Sequence, residues 1–260
     1  MNTQRVVVIT GALGGIGQAS INLFLAQGDR VVGIDMKPSN DPLVLSLVSS
    51  FPESFRYETV DCTNENEVES ALERIEKEFG LIEVLFNIAG GSGRRFGDGP
   101  LHSLSMDAYR QTFDLNLTTQ IVMNKFMVKR WLESNRGGCI INTASVLGMV
   151  GGNEMFSTHA YAASKAAIIG MSRAMAIYYA KQHIRVNVIA PGLIETPMSL
   201  RAQSDEDILN YMDYKQPIYA SKHKLGNPLS VAKAATFLAA KESDFITGII
   251  LPVDGGWTAQ

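Results

Sequence analysis

The sequence predicts a doubly wound α/β fold: a seven-stranded, mostly parallel sheet with helices on both faces. Three observations lead there. Short β-branched runs alternate with helical periods along the chain, the pattern of a parallel sheet whose crossovers are helices. The first run passes directly into a glycine loop and then a helix, through Thr10-Gly11-Ala12-Leu13-Gly14-Gly15-Ile16-Gly17. Gly11, Asp35, Asp61 and Asn87 each fall at the end of an expected strand, where open parallel sheets bind their ligands.

The elements follow in order. Residues 5–10 form a β-branched strand, and residues 18–27 read as a helix after the glycine loop. Strand, glycine loop and helix together aim backbone N–H groups and a helix N-terminus at a phosphate. Residues 30–34 are a second strand ending at Asp35. An acid there can accept from an adenosine ribose and repels a 2′-phosphate. Met36 follows it and the glycine loop carries no Arg or Lys, so NAD is favoured over NADP. Residues 42–50 read as a helix and 55–60 as a third strand, ending at Asp61-Cys62. Val68, Leu72, Ile75 and Phe79 stand at helical spacing, which makes residues 64–79 an amphipathic helix, stopped by Gly80. Residues 82–86 are a fourth strand, running into Asn87-Ile88-Ala89-Gly90.

A glycine-rich loop, residues 92–100, carries Arg94 and Arg95, a pair able to grip a carboxylate or phosphate. Residues 105–133 read as one long helix with Asn116 inside it, where asparagine has poor propensity; function or a local kink would explain it. Residues 139–143 are a fifth strand, ending at Ala144-Ser145. Residues 161–182 read as a helix carrying Tyr161 and Lys165, four apart and so on one face. A cation beside a phenol lowers the phenol's pKa, so the pair could work as an acid/base. Residues 185–190 are a sixth strand before Pro191-Gly192. Residues 229–240 read as a helix and 245–253 as a seventh strand. Between the sixth strand and the helix at 229–240, residues 193–227 are polar and weakly periodic, the character of a lid over a substrate. Met198 and Met212 lie in it.

Composition narrows the function. A chain of 260 residues can bury a large core, and it shows no repeat or linker, so residues 1–260 are expected to form one domain. A net charge of −3 offers no basic field for nucleic acid. No apolar run is long enough to span a bilayer, and a strand beginning at residue 5 leaves no room for a signal peptide, so a cytoplasmic location is expected. Cys62 and Cys139 lack metal or redox spacing, as do His102, His159, His183 and His223, so no metal is expected.

Taken in order, Thr10-Gly11-x-x-x-Gly15-Ile16-Gly17, Asn87-x-Ala89-Gly90, Asn116, Ser145, Tyr161-x-x-x-Lys165 and Pro191-Gly192 resemble the short-chain dehydrogenases/reductases over essentially the whole chain. Two features depart from the usual pattern: Ile88 stands where a second asparagine is common, and the Ser145–Tyr161 interval is longer than in many members. The resemblance implies a Rossmann-like, NAD(P)-binding domain that transfers a hydride between the cofactor and a small alcohol or carbonyl compound. Tyr161 would be the acid/base, Lys165 its tuning cation and ribose ligand, Ser145 a donor to the substrate oxygen, and Asn116 a holder of a proton-relay water. Gly11, Leu13, Gly15, Ile16 and Gly17 would lie by the pyrophosphate and adenosine, with Asp35 and Met36 at the ribose. Asp61 and Cys62 would meet the adenine; Asn87, Ala89 and Gly90 the centre; Pro191, Gly192, Ile194 and Thr196 the nicotinamide. The family also implies a homotetramer through the two long helices. Two other functions share the fold: a 3-oxoacyl-thioester reductase, disfavoured by Asp35, and a nucleotide-sensing regulator without catalysis, disfavoured by the intact residue set.

Overall fold

The computed structural model describes residues 4–260. Its seven strands are β1 (Val6–Thr10), β2 (Arg30–Asp35), β3 (Phe55–Thr59), β4 (Ile82–Asn87), β5 (Gly138–Thr143), β6 (Ile184–Pro191) and β7 (Ile250–Val253). They form one sheet in the order β3-β2-β1-β4-β5-β6-β7, and every pairing is parallel. This is a Rossmann-like sheet, wholly rather than mostly parallel. The strand order reverses between β1 and β4, where Thr10 and Asn87 stand in register, and a crevice opens at such a point.

Period-two alternation assigns β1 to two cores. Val6 and Val8 pack on one face with Leu72 and Ile75 of α3 (Glu65–Phe79) and Met123, Met127 and Trp131 further along the chain. Val7 and Ile9 pack on the other with Ile21 and Phe24 of α1 (Gly15–Ala26) and Val231 and Leu238. Both faces are therefore covered, which explains why the strands read as continuous apolar runs. A nine-residue helix, α2 (Pro42–Ser50), adds Leu47 to the second core.

The expected helix over residues 105–133 is three pieces. Helix α4 (Met106–Phe113) runs into a π-helical segment, Asp114–Thr118, and then α5 (Thr119–Glu133). The wide turn sits at Asn116, whose Nδ2 donates to Thr112 O at 2.9 Å, and so the side chain enters the helix ladder. Single π turns of this kind are frequent at functional sites. Helix α6 (His159–Tyr178) begins two residues earlier than expected. Residues 193–227 contain α7 (Leu200–Gln203), α8 (Glu206–Lys215) and a 3-10 turn, Pro217–Lys222, before α9 (Pro228–Ala239). The seventh strand is shorter than expected. Gly248 takes φ +78°, a left-handed conformation that interrupts regular strand geometry; its N–H still donates to Val186 O, but the regular register with β6 starts at Ile250.

Candidate active site

The carboxyl ends of the strands open into a cavity of about 510 Å³. One end is made of backbone. Gly11, Gly15 and Ile16 line it, and α1 starts there with no side-chain cap and no acidic residue in its first turn. Side chains are excluded by contact. A Cβ on Gly11 would lie 2.9 Å from Ala89 N, and one on Gly15 would lie 2.8 Å from Thr196 Cγ2. One on Gly17 would collide with the carbonyl oxygens of Gly11 and Ala12. This is an uncapped, positively polarised helix N-terminus facing open space, suited to an anion.

Asp35 lines the same end. Its Oδ2 accepts from Leu13 N at 3.1 Å and its Oδ1 from Met36 N at 2.8 Å. These N–H groups fix the carboxylate at the rim. Leu13 itself is buried and Met36 turns its side chain outward, 67% exposed; both reach the site through their backbone. Asp61 and Cys62 are outside the cavity lining. Asp61 Oδ1 accepts from Thr63 N and Thr63 Oγ1, closing a turn, while Cys62 sits in the apolar core beside Val60 and Val68. Burial pushes the Cys62 thiol up to about 12, so it is unreactive.

The floor rests on a buried amide network that sequence reasoning left unread. Asn87 Nδ2 donates to Asn124 Oδ1 at 2.8 Å and Asn142 Oδ1 at 2.9 Å, and Asn142 Nδ2 donates to Ser172 Oγ. Thr10 Oγ1 accepts from the N–H groups of Ile88 and Ala89, both at 3.1 Å. The network ties β1, β4, β5 and two helices at one level. It leaves Gly90 at the cavity surface, where a Cβ would lie 2.7 Å from Asn116 Oδ1 and 3.4 Å from Lys165 Nζ. Asn116 is not itself in the lining. Its amide pairs with Gly91 in both directions, accepting from Gly91 N at 3.1 Å and donating to Gly91 O at 2.9 Å.

The other end is made of side chains. Ser145, Tyr161 and Lys165 all line it. Ser145 follows β5 and caps a 3-10 turn, its Oγ accepting from Leu147 N. Lys165 is 3% exposed, and its Nζ donates to Thr143 O at 3.0 Å. Burial brings its pKa down to about 7. The ammonium lies 5.5 Å from the centre of the Tyr161 ring. Burial raises the Tyr161 phenol above its ordinary value, with Ser145 acting in the opposite direction. The sequence expectation was a phenol lowered by Lys165. The difference has a physical reason: both groups are desolvated, and a lysine near 7 is only partly charged at neutral pH.

Helix α6 is positioned by a residue the sequence did not flag. Asp98, 4% exposed, accepts from Ala160 N at 3.0 Å through Oδ1 and from Tyr161 N at 2.9 Å through Oδ2. It caps the helix that Thr158 leaves without a side-chain cap. Its position 62 residues before Ala160 hid it from any local capping pattern. His159 points elsewhere: its Nδ1 accepts from Leu101 N. Pro191, Gly192, Ile194 and Thr196 line the wall between the two ends, with Met198. Phe156 and Trp257 add an aromatic face, their rings edge to face at 5.5 Å.

A family model described as "Enoyl-(Acyl carrier protein) reductase" matches residues 11–258. The cis-4-hydroxycyclohexanecarboxylate dehydrogenase of Sinomonas cyclohexanicum is 35% identical, with 98% of this chain and 97% of the relative covered. The chain belongs to the short-chain dehydrogenase/reductase family. It is accordingly an oxidoreductase with a nicotinamide-cofactor fold. Solved structures agree: 4-hydroxyisoleucine dehydrogenase complexed with NADH superposes with a TM-score of 0.86 at 30% identity, covering 99% of this chain and 100% of that one. ElxO with NADP bound superposes at 0.87 with 28% identity, covering 99% and 100%. Members near this chain in structure thus take either nicotinamide cofactor. Among the described residues, no helix is long and apolar enough to cross a membrane.

Proposed function

We propose that the protein oxidises a small alcohol, or reduces the matching ketone, with NAD as hydride acceptor or donor and Tyr161 as acid/base. The observation that carries this is a single cavity with a glycine-lined helix N-terminus and Asp35 at one end and Ser145, Tyr161 and Lys165 at the other. The residues fit the cofactor: the glycine end has no room for side chains, and its uncapped N–H groups suit a pyrophosphate. Asp35, an acceptor held by two backbone N–H groups, suits ribose hydroxyls and opposes a 2′-phosphate. NAD is therefore favoured, with the NADH complex of 4-hydroxyisoleucine dehydrogenase as a parallel.

When bound, the nicotinamide supplies hydride transfer. Ser145 donates to the substrate oxygen and steadies the charge developing on it. In the oxidative direction Tyr161 takes the hydroxyl proton as the carbon loses its hydride; in the reductive direction it returns that proton. Lys165, with a pKa of about 7, favours the phenolate whenever it is protonated. Asn116 holds the Gly90–Gly91 turn beside Lys165 and positions a water that passes protons to solvent. Residues 193–227 act as the lid. Tyr161→Phe tests the assignment. Turnover should fall by about 10²–10⁴-fold, the range of a lost general acid/base, while NAD titrated by fluorescence binds within about threefold of the parent. Near-normal turnover would remove Tyr161 from its role.

We also infer a homotetramer. Helices α5 and α6 share a surface groove of about 560 Å³ lined by Ile121, Val128, Leu132, Met171 and Met175, with Lys125, Lys129 and Glu133 among them, a largely apolar face that a second copy would cover. A monomeric mass by light scattering would contradict it.

A further inference from the structure

The outer wall of the cavity carries charge of one sign. Arg94, in the 3-10 turn Gly93–Phe96, and Arg201, on α7, both line it. Their Nη2 atoms donate to the same acceptor, Met155 O, at 2.7 and 3.2 Å. Two guanidinium groups converging on one carbonyl repel each other. The repulsion is only partly countered. Arg201 faces Asp205 across 3.7 Å. Asp98 is near enough to act on Arg94, but its two carboxylate oxygens already accept from Ala160 N and Tyr161 N. Arg95 joins the wall with its guanidinium 4.6 Å from the Phe96 ring centre. Among the described residues that line the cavity, the one carboxylate is Asp35, at the glycine end. The wall therefore lacks an anion.

Inward of the arginines the surface changes character. Phe156 and Trp257 meet there with Val146 and Leu147. Trp257 is 2% exposed, and its indole N–H has no partner among the described residues.

We propose that the substrate is a hydroxy or oxo acid, its carboxylate held between Arg94 and Arg201 and its apolar body lying against Phe156 and Trp257. This rests on the dehydrogenase reading of the site and names the substrate class for it. A carboxylate is the planar, two-oxygen acceptor that guanidinium forks match. Placed between the two arginines it turns a repulsion into two attractions. A phosphate monoester would bring similar charge but is tetrahedral and bulkier, and the test separates the two.

The experiment uses the full chain with NAD and a matched series: 4-hydroxycyclohexanecarboxylate, its carboxamide, and the corresponding hydroxycyclohexyl phosphate. The expected result is a kcat/KM for the acid at least about tenfold above the amide, expressed in KM, a difference of about 1.4 kcal/mol. Arg94→Gln and Arg201→Gln should each collapse the acid-to-amide ratio by about tenfold, and Arg94→Lys should recover part of it. Equal use of acid and amide overturns the proposal, as does a ratio that both Gln variants leave intact. Preferred turnover of the phosphate overturns the carboxylate. No turnover of any alcohol or ketone, with either nicotinamide cofactor, would strike the dehydrogenase reading instead. The arginine site is then judged alone, by calorimetric titration of cyclohexanecarboxylate against cyclohexanecarboxamide, where equal binding overturns it.

Discussion

The two ends of the cavity are built on different principles. The glycine end is backbone: Gly11, Gly15 and Gly17 have no space for a Cβ, and Asp35 is fixed by N–H groups from Leu13 and Met36. The opposite end collects side chains from distant segments: Ser145 after β5, Tyr161 and Lys165 on α6, Arg201 on α7 and Trp257 near the chain's end. A backbone cradle is confined to a few consecutive residues and tolerates almost no substitution. A side-chain wall can change one residue at a time. The first suits a constant cofactor, and the second a substrate that differs among members of a family.

Gly17→Ala tests the rigidity of the backbone end and should have the largest structural effect. Its methyl group would meet the carbonyl oxygens of Gly11 and Ala12, neither of which is free to move. Overpacking of this kind costs about 1–3 kcal/mol, visible as a lower Tm, and should weaken NAD binding by at least about tenfold. An unchanged Tm would mean that the cradle is softer than its contacts imply. Asp35→Ala comes next. NAD should weaken by about tenfold, the worth of a charge-assisted hydrogen bond, with NADP affected less; an unaltered protein that already prefers NADP would refute the cofactor assignment.

Lys165→Met should act on the side-chain end in the opposite sense. Activity is lost, yet the ligand-free protein becomes more stable, because a buried cation is removed and Thr143 O keeps its bond from Gln120 Nε2 at 3.0 Å. A gain of about 1 kcal/mol would raise Tm by roughly 2–4 °C. The sign of its pH dependence follows from the lysine pKa of about 7 against about 10.4 when unfolded. Between those values the unfolded chain binds more protons, so the parent's stability falls as pH drops through that window. The variant's advantage is therefore greatest at pH 7 and below and shrinks toward pH 10. A constant advantage would indicate that Lys165 is not desolvated.

The same contrast explains what the sequence disclosed. The strands, the glycine loop and Asp35 are local patterns, each readable from a few consecutive residues. Asn116 was visible as an oddity, an asparagine inside a helix, but the π turn it occupies depends on its amide reaching Gly91 across the fold. Arg201, Phe156 and Trp257 were not legible as cavity residues. Nothing near them in the chain distinguishes them, and only the folding of three separate segments around one opening brings them together. The overlong seventh strand has a simpler cause: residues 245–249 have strand composition, but Gly248 takes a left-handed conformation, and the regular register with β6 begins only beyond it, at Ile250.

Asp98 has one more consequence, for anyone wishing to change what the protein accepts. Its carboxylate belongs to the substrate-side loop but holds the first N–H groups of the helix that bears Tyr161. Gly93 is equally confined, since a Cβ there would strike Thr112 Oγ1 and lie 2.8 Å from Asp98 Cβ. The replaceable part of the loop is thus residues 94–97, a cassette bounded by two anchors. Loop grafts that stay within it exchange Arg94 and Arg95 while leaving the tyrosine in place. Grafts that cross either anchor move the helix that bears Tyr161 along with the loop.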